Sequence, residues 1–119
     1  MDKNEGLGDN LSFTGEIKMK FITPPNHIHF LAKKLFGELG EIIDGSIAYL
    51  EKNGGGPTEA HTHEHNHLFI VMKGEAKVIL ADSKVIIKEN ESYFVNGKIL
   101  HSVWNNVEDT TIMIGISVK

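Results

Sequence analysis

Residues 55–74 read Gly-Gly-Pro-Thr-Glu-Ala-His-Thr-His-Glu-His-Asn-His-Leu-Phe-Ile-Val-Met-Lys-Gly. Four of the chain's seven histidines fall within the seven residues His61–His67. Neutral imidazole is the commonest protein ligand for transition metals, so a cluster of this density reads first as a metal site. His61 and His63 stand two apart, and on extended chain both side chains point to one face. After a short turn, His67 would open the next strand beside them. His101, arriving some forty residues later on a further strand, would close the site from across the barrel.

The flanking sequence has strand period. Short segments recur at Ser46–Leu50, Glu59–Thr62, His67–Met72, Glu75–Leu80, Lys84–Lys88, Ser92–Val95, Ile99–Asn105 and Thr110–Val118. Turn-forming residues separate them: 53–57, Lys73-Gly74, 81–83, Glu89-Asn90 and Asn96-Gly97. The Asn-Gly pair is the strongest hairpin signal of these, because both residues tolerate positive φ in a type I′ turn. About eight short strands with tight turns and no intervening helix predict a small sandwich or barrel.

Ahead of these strands the chain has another character. The first ten residues are polar and carry three glycines or aspartates in a row of four, Gly6 to Asp9, which reads as a loose tail. Ser12–Ile22 alternates, with Phe13, Ile17, Met19 and Phe21 on one face, and predicts a strand stopped by Pro24-Pro25. Asn26 then reads as a helix N-cap. Ile28, Leu31, Ala32, Leu35, Phe36 and Leu39 follow at helical spacing up to Gly40.

These residues carry a resemblance to the cupin family. Its first motif is glycine, five residues, His-x-His, three or four residues, glutamate, six residues, glycine. Here Gly55, His61, His63, His67 and Gly74 keep every spacing, with histidine in place of glutamate. The second motif is represented by His101 and Asn105, while Asn90, Asn96 and Lys98 stand where its Gly, Pro and Gly are expected. The resemblance implies an all-β fold, the cupin double-stranded β-helix or jelly-roll barrel, over residues 44–119. Residues 1–43 become an N-terminal extension of tail, strand and short helix.

The resemblance also implies a ligand set of His61, His63, His67 and His101. Four neutral ligands leave a divalent ion's charge unbalanced, which favours an anionic substrate in the open positions. They disfavour Mg and Ca and suit Zn, Ni, Fe, Mn or Cu; all-histidine sites are known in the family. His65 and Glu64 fall in the turn between ligands; Glu64 reads as exposed, His65 as a surface residue or a neighbour supporting the ligands, with ligation itself the alternative, and Asn105 reads as a structural residue. His27 and His29, two apart near the expected helix start, read as capping or surface residues.

Strand parity fills in the surroundings. With His67 inward, Phe69 and Val71 follow; with His101, Ile99 and Val103 follow. Ala76, Val78 and Leu80 form one inward row and Ile112, Ile114 and Ile116 another, while Trp104 points outward as a candidate interface residue. Tyr49 and Tyr93 are the candidate non-histidine proton carriers, and no positioned acid–base pair is evident. Three functions follow. The first is a metal-dependent enzyme with oxygenase-type chemistry on a small anionic molecule. The second is a non-catalytic binder of a sugar-acid-like ligand, and the third a cupin with a purely structural metal.

Composition bounds the partners. The 119 residues are 40% hydrophobic and 24% charged, an ordinary globular balance, with net charge -4. No basic stripe offers a nucleic-acid footprint. The absence of cysteine excludes disulfides, iron–sulfur clusters and thiolate zinc sites. No apolar run reaches the ~20 residues that span a bilayer, and the polar N-terminus lacks a signal-peptide core, so a cytoplasmic protein is expected. The Phe13–Phe21 strand would leave an open edge, and a homodimer is the expected way to close it.

Overall fold

The computed structural model describes residues 20–119. Eight strands follow in order: β1 (Ile42–Leu50), β2 (Gly55–His61), β3 (Asn66–Lys73), β4 (Glu75–Leu80), β5 (Lys84–Lys88), β6 (Ser92–Val95), β7 (His101–Asn105) and β8 (Thr111–Val118). They form two four-stranded antiparallel sheets, ordered β1-β8-β3-β6 and β2-β7-β4-β5. Successive strands repeatedly change sheet, which is the wiring of a jelly roll. No helix among the described residues is long and apolar enough to cross a membrane.

Alternation builds the core. β3 contributes Phe69 and Val71, β4 Ala76 and Val78, β5 Val85 and Ile87, and β6 Tyr93 and Val95. Leu50 and Met113 join them from β1 and β8, and Leu80 and Val103 pack against the cluster. Phe69, Val71, Ala76, Val78, Leu80 and Val103 thus face inward as parity predicts.

The β8 row is a correction. Thr111 and Met113 are buried, whereas Ile112, Ile114 and Ile116 lie on the opposite face and are only half-buried. The ladder sets this: Met113 stands opposite buried Val71, and Gly115 opposite Phe69. The isoleucines share the outer face with Leu68, Ile70, Ile47 and Tyr49. Both faces of this sheet are apolar because residues 36–42 lie over part of the outer one. Phe36, Leu39, Leu68, Ile116 and Val118 line a cleft of about 200 Å³ there.

That covering segment also corrects the predicted helix. Residues 26–40 contain none; Ile22 and Ala32 form an isolated antiparallel bridge, with both N–H···O bonds at 2.8 Å. Asn26 is no N-cap but sits in the turn after Pro25 at φ 65°. The Ser92 hydroxyl donates to Leu35 O at 2.6 Å, and Lys119 N donates to Glu41 O at 2.8 Å. The apolar residues are thereby laid on a sheet rather than along a helical stripe, and burial overrides the local pattern. Of the predicted strand at 12–22, residues 12–19 lie outside the described residues.

Two glycines hold close approaches. Gly74, at φ +89°, turns β3 into β4, and a Cβ there would meet Thr111 Cα at 2.9 Å. Gly55 runs against Trp104, whose Cα would lie 2.6 Å from an added Cβ. Trp104, on β7 of the other sheet, is half-buried and its indole N–H donates to Ser102 Oγ at 2.9 Å.

Asn105 proves structural, as read. Its amide donates to Leu50 O at 2.8 Å and Asp109 O at 2.9 Å. Its carbonyl oxygen accepts from Thr111 Oγ1 at 2.7 Å and Val107 N at 3.0 Å. One buried side chain thereby ties β1, β7, β8 and the loop between the last two.

Candidate metal centre

The β2–β3 connection crosses from one sheet to the other, and the histidines ride on that crossing. His61 ends β2 and pairs directly with His101 at the start of β7. His101 therefore comes from the neighbouring strand, not from across the barrel. The residue that comes from the opposite sheet is His67, near the start of β3.

The rings gather tightly. His61 lies 4.9 Å from His63 and 5.1 Å from His101 between ring centroids. His63 is 4.9 Å from His101 and 4.5 Å from His67. His67 is 5.6 Å from His101, and its other face lies 5.3 Å from Phe69. Two groups have all their ligand atoms within 4.8 Å of one another: His61, His63 and His101, and His63, His65 and His67. Among the described residues both groups consist of histidine alone.

Backbone carbonyls orient the rings. His101 Nδ1–H donates to Ile99 O at 2.7 Å, which leaves Nε2 as a lone pair. That Nε2 is buried without any hydrogen-bond partner, in a residue only 3% exposed. An unmet buried acceptor costs on the order of 1–3 kcal/mol, so the atom is arranged for something that accepts its lone pair. A transition-metal ion does so, and the donor set fits one. His63 repeats the arrangement: Nδ1–H donates to His65 O at 2.9 Å and Nε2 is turned to His67 Nε2, also 2.9 Å away. Ring N–H groups held by carbonyls are how metal-binding histidines are fixed in one tautomer.

Burial keeps His67 and His101 neutral. Burial, followed by repulsion from His63, His65, His101 and His61, pushes His67 down to about 4 from 6.5. Burial also lowers His101, against the opposing pull of the Ile99 carbonyl, and the neighbouring histidines add to the lowering. At neutral pH both rings present lone pairs.

Gly97 closes the crossing from the β6–β7 loop. His63 N donates to Gly97 O at 2.9 Å, and Gly97 N donates to Asn66 Oδ1 at 2.9 Å. The Asn96-Gly97 pair is not the type I′ hairpin its sequence suggests. Neither residue has positive φ, and Ile99 N bonds Asn96 O at 3.0 Å in a turn that leads from one sheet to the other. Ile99 precedes its strand and is 43% exposed rather than inward.

The remaining candidates separate cleanly. Glu64 is exposed, as expected. His27 and His29 are exposed, and His27 Nδ1 donates to Pro25 O at 2.8 Å. Tyr49 is 64% exposed on the outer face, and Tyr93 is buried in the core opposite Phe69. Sequence reasoning undervalued His65, which is half-buried with its ring stacked 4.2 Å from that of His63. Strand parity has no say inside a turn, so no periodic signal could have found it.

A model of the cupin domain matches residues 47–118, and the chain belongs to the cupin family. No curated protein matches it. Among solved structures it resembles a predicted oxalate decarboxylase from Thermotoga maritima, at 15% identity and TM-score 0.57 over 66% of this chain and 67% of that one. The polyketide cyclase RemF from Streptomyces resistomycificus is similar at 19% identity and TM-score 0.55, over 66% and 55%. The cupin domain of an XRE-family transcriptional regulator from Enterobacter cloacae gives 14% and 0.57, over 64% and 80%. At such identities the likeness is one of fold.

Proposed function

We propose that the protein is a metal-dependent enzyme with oxygenase-type chemistry on a small anionic molecule, its ion held by histidines of the 61–67 segment and His101. The observation that carries the reading is the buried, unpartnered Nε2 of His101 among the other imidazoles of the cluster. A bound divalent transition metal supplies positive charge and open coordination positions, to which an anion is drawn. The chain's own part is to orient and to shield. The carbonyls of Ile99 and His65 fix His101 and His63. Phe69 backs His67, and Ile99 and Leu100, both exposed, present apolar surface just before His101.

The side chains at the cluster support oxygenase-type chemistry over isomerisation. Isomerisation requires a positioned acid and base. Both histidine groups lack a carboxylate, and Tyr49 is exposed on the outer face. The test is metal content of the untagged protein beside a His63→Ala variant, then oxygen uptake by the iron-loaded protein with diketones, flavonols and thiols. Near-stoichiometric metal that falls in the variant, with uptake on one class, is the expected result. Thermal stabilisation by a small acid without turnover would move the function to ligand capture, and a wild type that refuses metal on reconstitution refutes the reading.

We also propose a homodimer. β1 is an edge strand, and Ile42, Ile43, Ile47 and Tyr49 are all at least half exposed along it. Among the described residues this edge is unpaired, and an apolar edge of this length invites pairing. Light scattering across a dilution series tests it; a monomer throughout the micromolar range refutes it.

A further inference from the structure

The sequence leaves His65 open between a surface or supporting place in the turn and a place in the site. Its ring lies parallel to His63, 13° between planes, and 5.0 Å from His67. Its ligand nitrogen belongs to a group with those of His63 and His67 as tight as the group built on His101. The same short stretch of backbone sets both: the His65 carbonyl takes the Nδ1–H of His63 while the His65 ring stacks on that imidazole.

We propose that His65 is a metal ligand, and that His63, His65 and His67 form a second seat for the ion overlapping the seat made by His61, His63 and His101. The inference rests on the metal-binding reading above and extends it. His63 belongs to both groups, but its Nδ1 is committed to the His65 carbonyl, so only Nε2 is free to bind. One lone pair serves one ion. The two seats are therefore alternatives for a single ion rather than a dinuclear pair.

The unliganded tautomers agree with this. With His63 Nδ1 protonated, the 2.9 Å contact between the two Nε2 atoms requires His67 to donate Nε2–H to His63. For an ion to sit on His63, His65 and His67, that proton would shift to His67 Nδ1, the neutral tautomer that frees both Nε2 lone pairs.

The experiment uses metal-free full-length protein, cobalt(II) as the probe, and equilibrium dialysis with visible absorption. Wild type is expected to take up one cobalt per chain. The His61→Ala/His101→Ala variant should still bind one, more weakly and with a changed visible spectrum. Adding His65→Ala to it should weaken binding at least tenfold further. A double variant with native far-UV dichroism that binds no cobalt overturns the second seat, as does a triple variant that binds like the double. Two cobalt ions per wild-type chain overturn the sharing of His63. A wild type that binds none refutes the metal reading itself. In the zinc-loaded His61→Ala/His101→Ala variant, ring ¹⁵N shifts should move at His63, His65 and His67; an unmoved His65 there overturns the proposal.

Discussion

Gly97→Ala should damage the metal centre from outside the histidine set. A Cβ at residue 97 would lie 2.8 Å from His63 O and 2.9 Å from His63 Nδ1, and closer still to His65 O. Two of these are backbone oxygens, so relief requires the crossing segment itself to move. Overpacking of this kind costs about 1–3 kcal/mol. Movement also endangers the bonds His63 N to Gly97 O and Gly97 N to Asn66 Oδ1, each worth about 1 kcal/mol. A loss of about 3 kcal/mol results, which for a domain near 100 residues lowers Tm by ~12–24 °C. If the loop yields instead, the stability loss shrinks, but the His63 ring loses its hold on the His65 carbonyl and zinc affinity falls. The assay is a melt and a zinc titration on the same sample, with Gly37→Ala as control. Nothing lies within 4 Å of a Cβ at residue 37, so that variant should melt within a few degrees of wild type. Gly97→Ala with both Tm and zinc affinity unchanged would refute the reasoning.

The metal-free protein should lose stability in mild acid. His67 is held at about 4 when folded and titrates near 6.5 when unfolded. Between these values the unfolded chain binds the extra proton, so stability is complete above pH 6.5 and declines as pH falls toward 4. Partial exposure of the ring limits the loss to roughly 1–2 kcal/mol. Urea melts from pH 7.5 to 4 check this, and His67→Gln should flatten the slope. Asn105→Ala should cost about 2–4 kcal/mol, because four bonds to buried or partly buried partners are lost. In native buffer its metal affinity should stay near wild type, which separates scaffold from site.

The strands that could be read to the residue were Glu75–Leu80, Lys84–Lys88 and Ser92–Val95. Each is bounded by clear turns, and in the first two one set is wholly apolar while the other carries the charge. The metal segment was legible for a similar reason, since strand spacing and flanking glycines agreed. β8 was not, because both of its alternating sets can be buried and period two cannot say which faces the core. The segment 26–40 misled because apolar residues three and four apart also suit an irregular strap pressed on a sheet. What decides there is the Ser92 hydroxyl on Leu35, a partner 57 residues away. His65 could not be settled by period inside a turn, and the Asn96-Gly97 signal pointed to a hairpin: their roles arise only when two loops from distant parts of the chain meet.

The strap over the outer sheet face sets the practical size of the folding unit. Cutting the chain at residue 44, where the strand pattern begins, would remove the first two residues of β1 together with Phe36 and Leu39. Leu68, Ile116 and Val118 would then face water beside the already exposed Ile47 and Tyr49. Such a fragment would keep every histidine of the centre and still be a poor reagent, because a broad greasy sheet face drives self-association. A shortened version meant to stay dispersed must begin ahead of Leu35, so that the carbonyl held by Ser92 is retained.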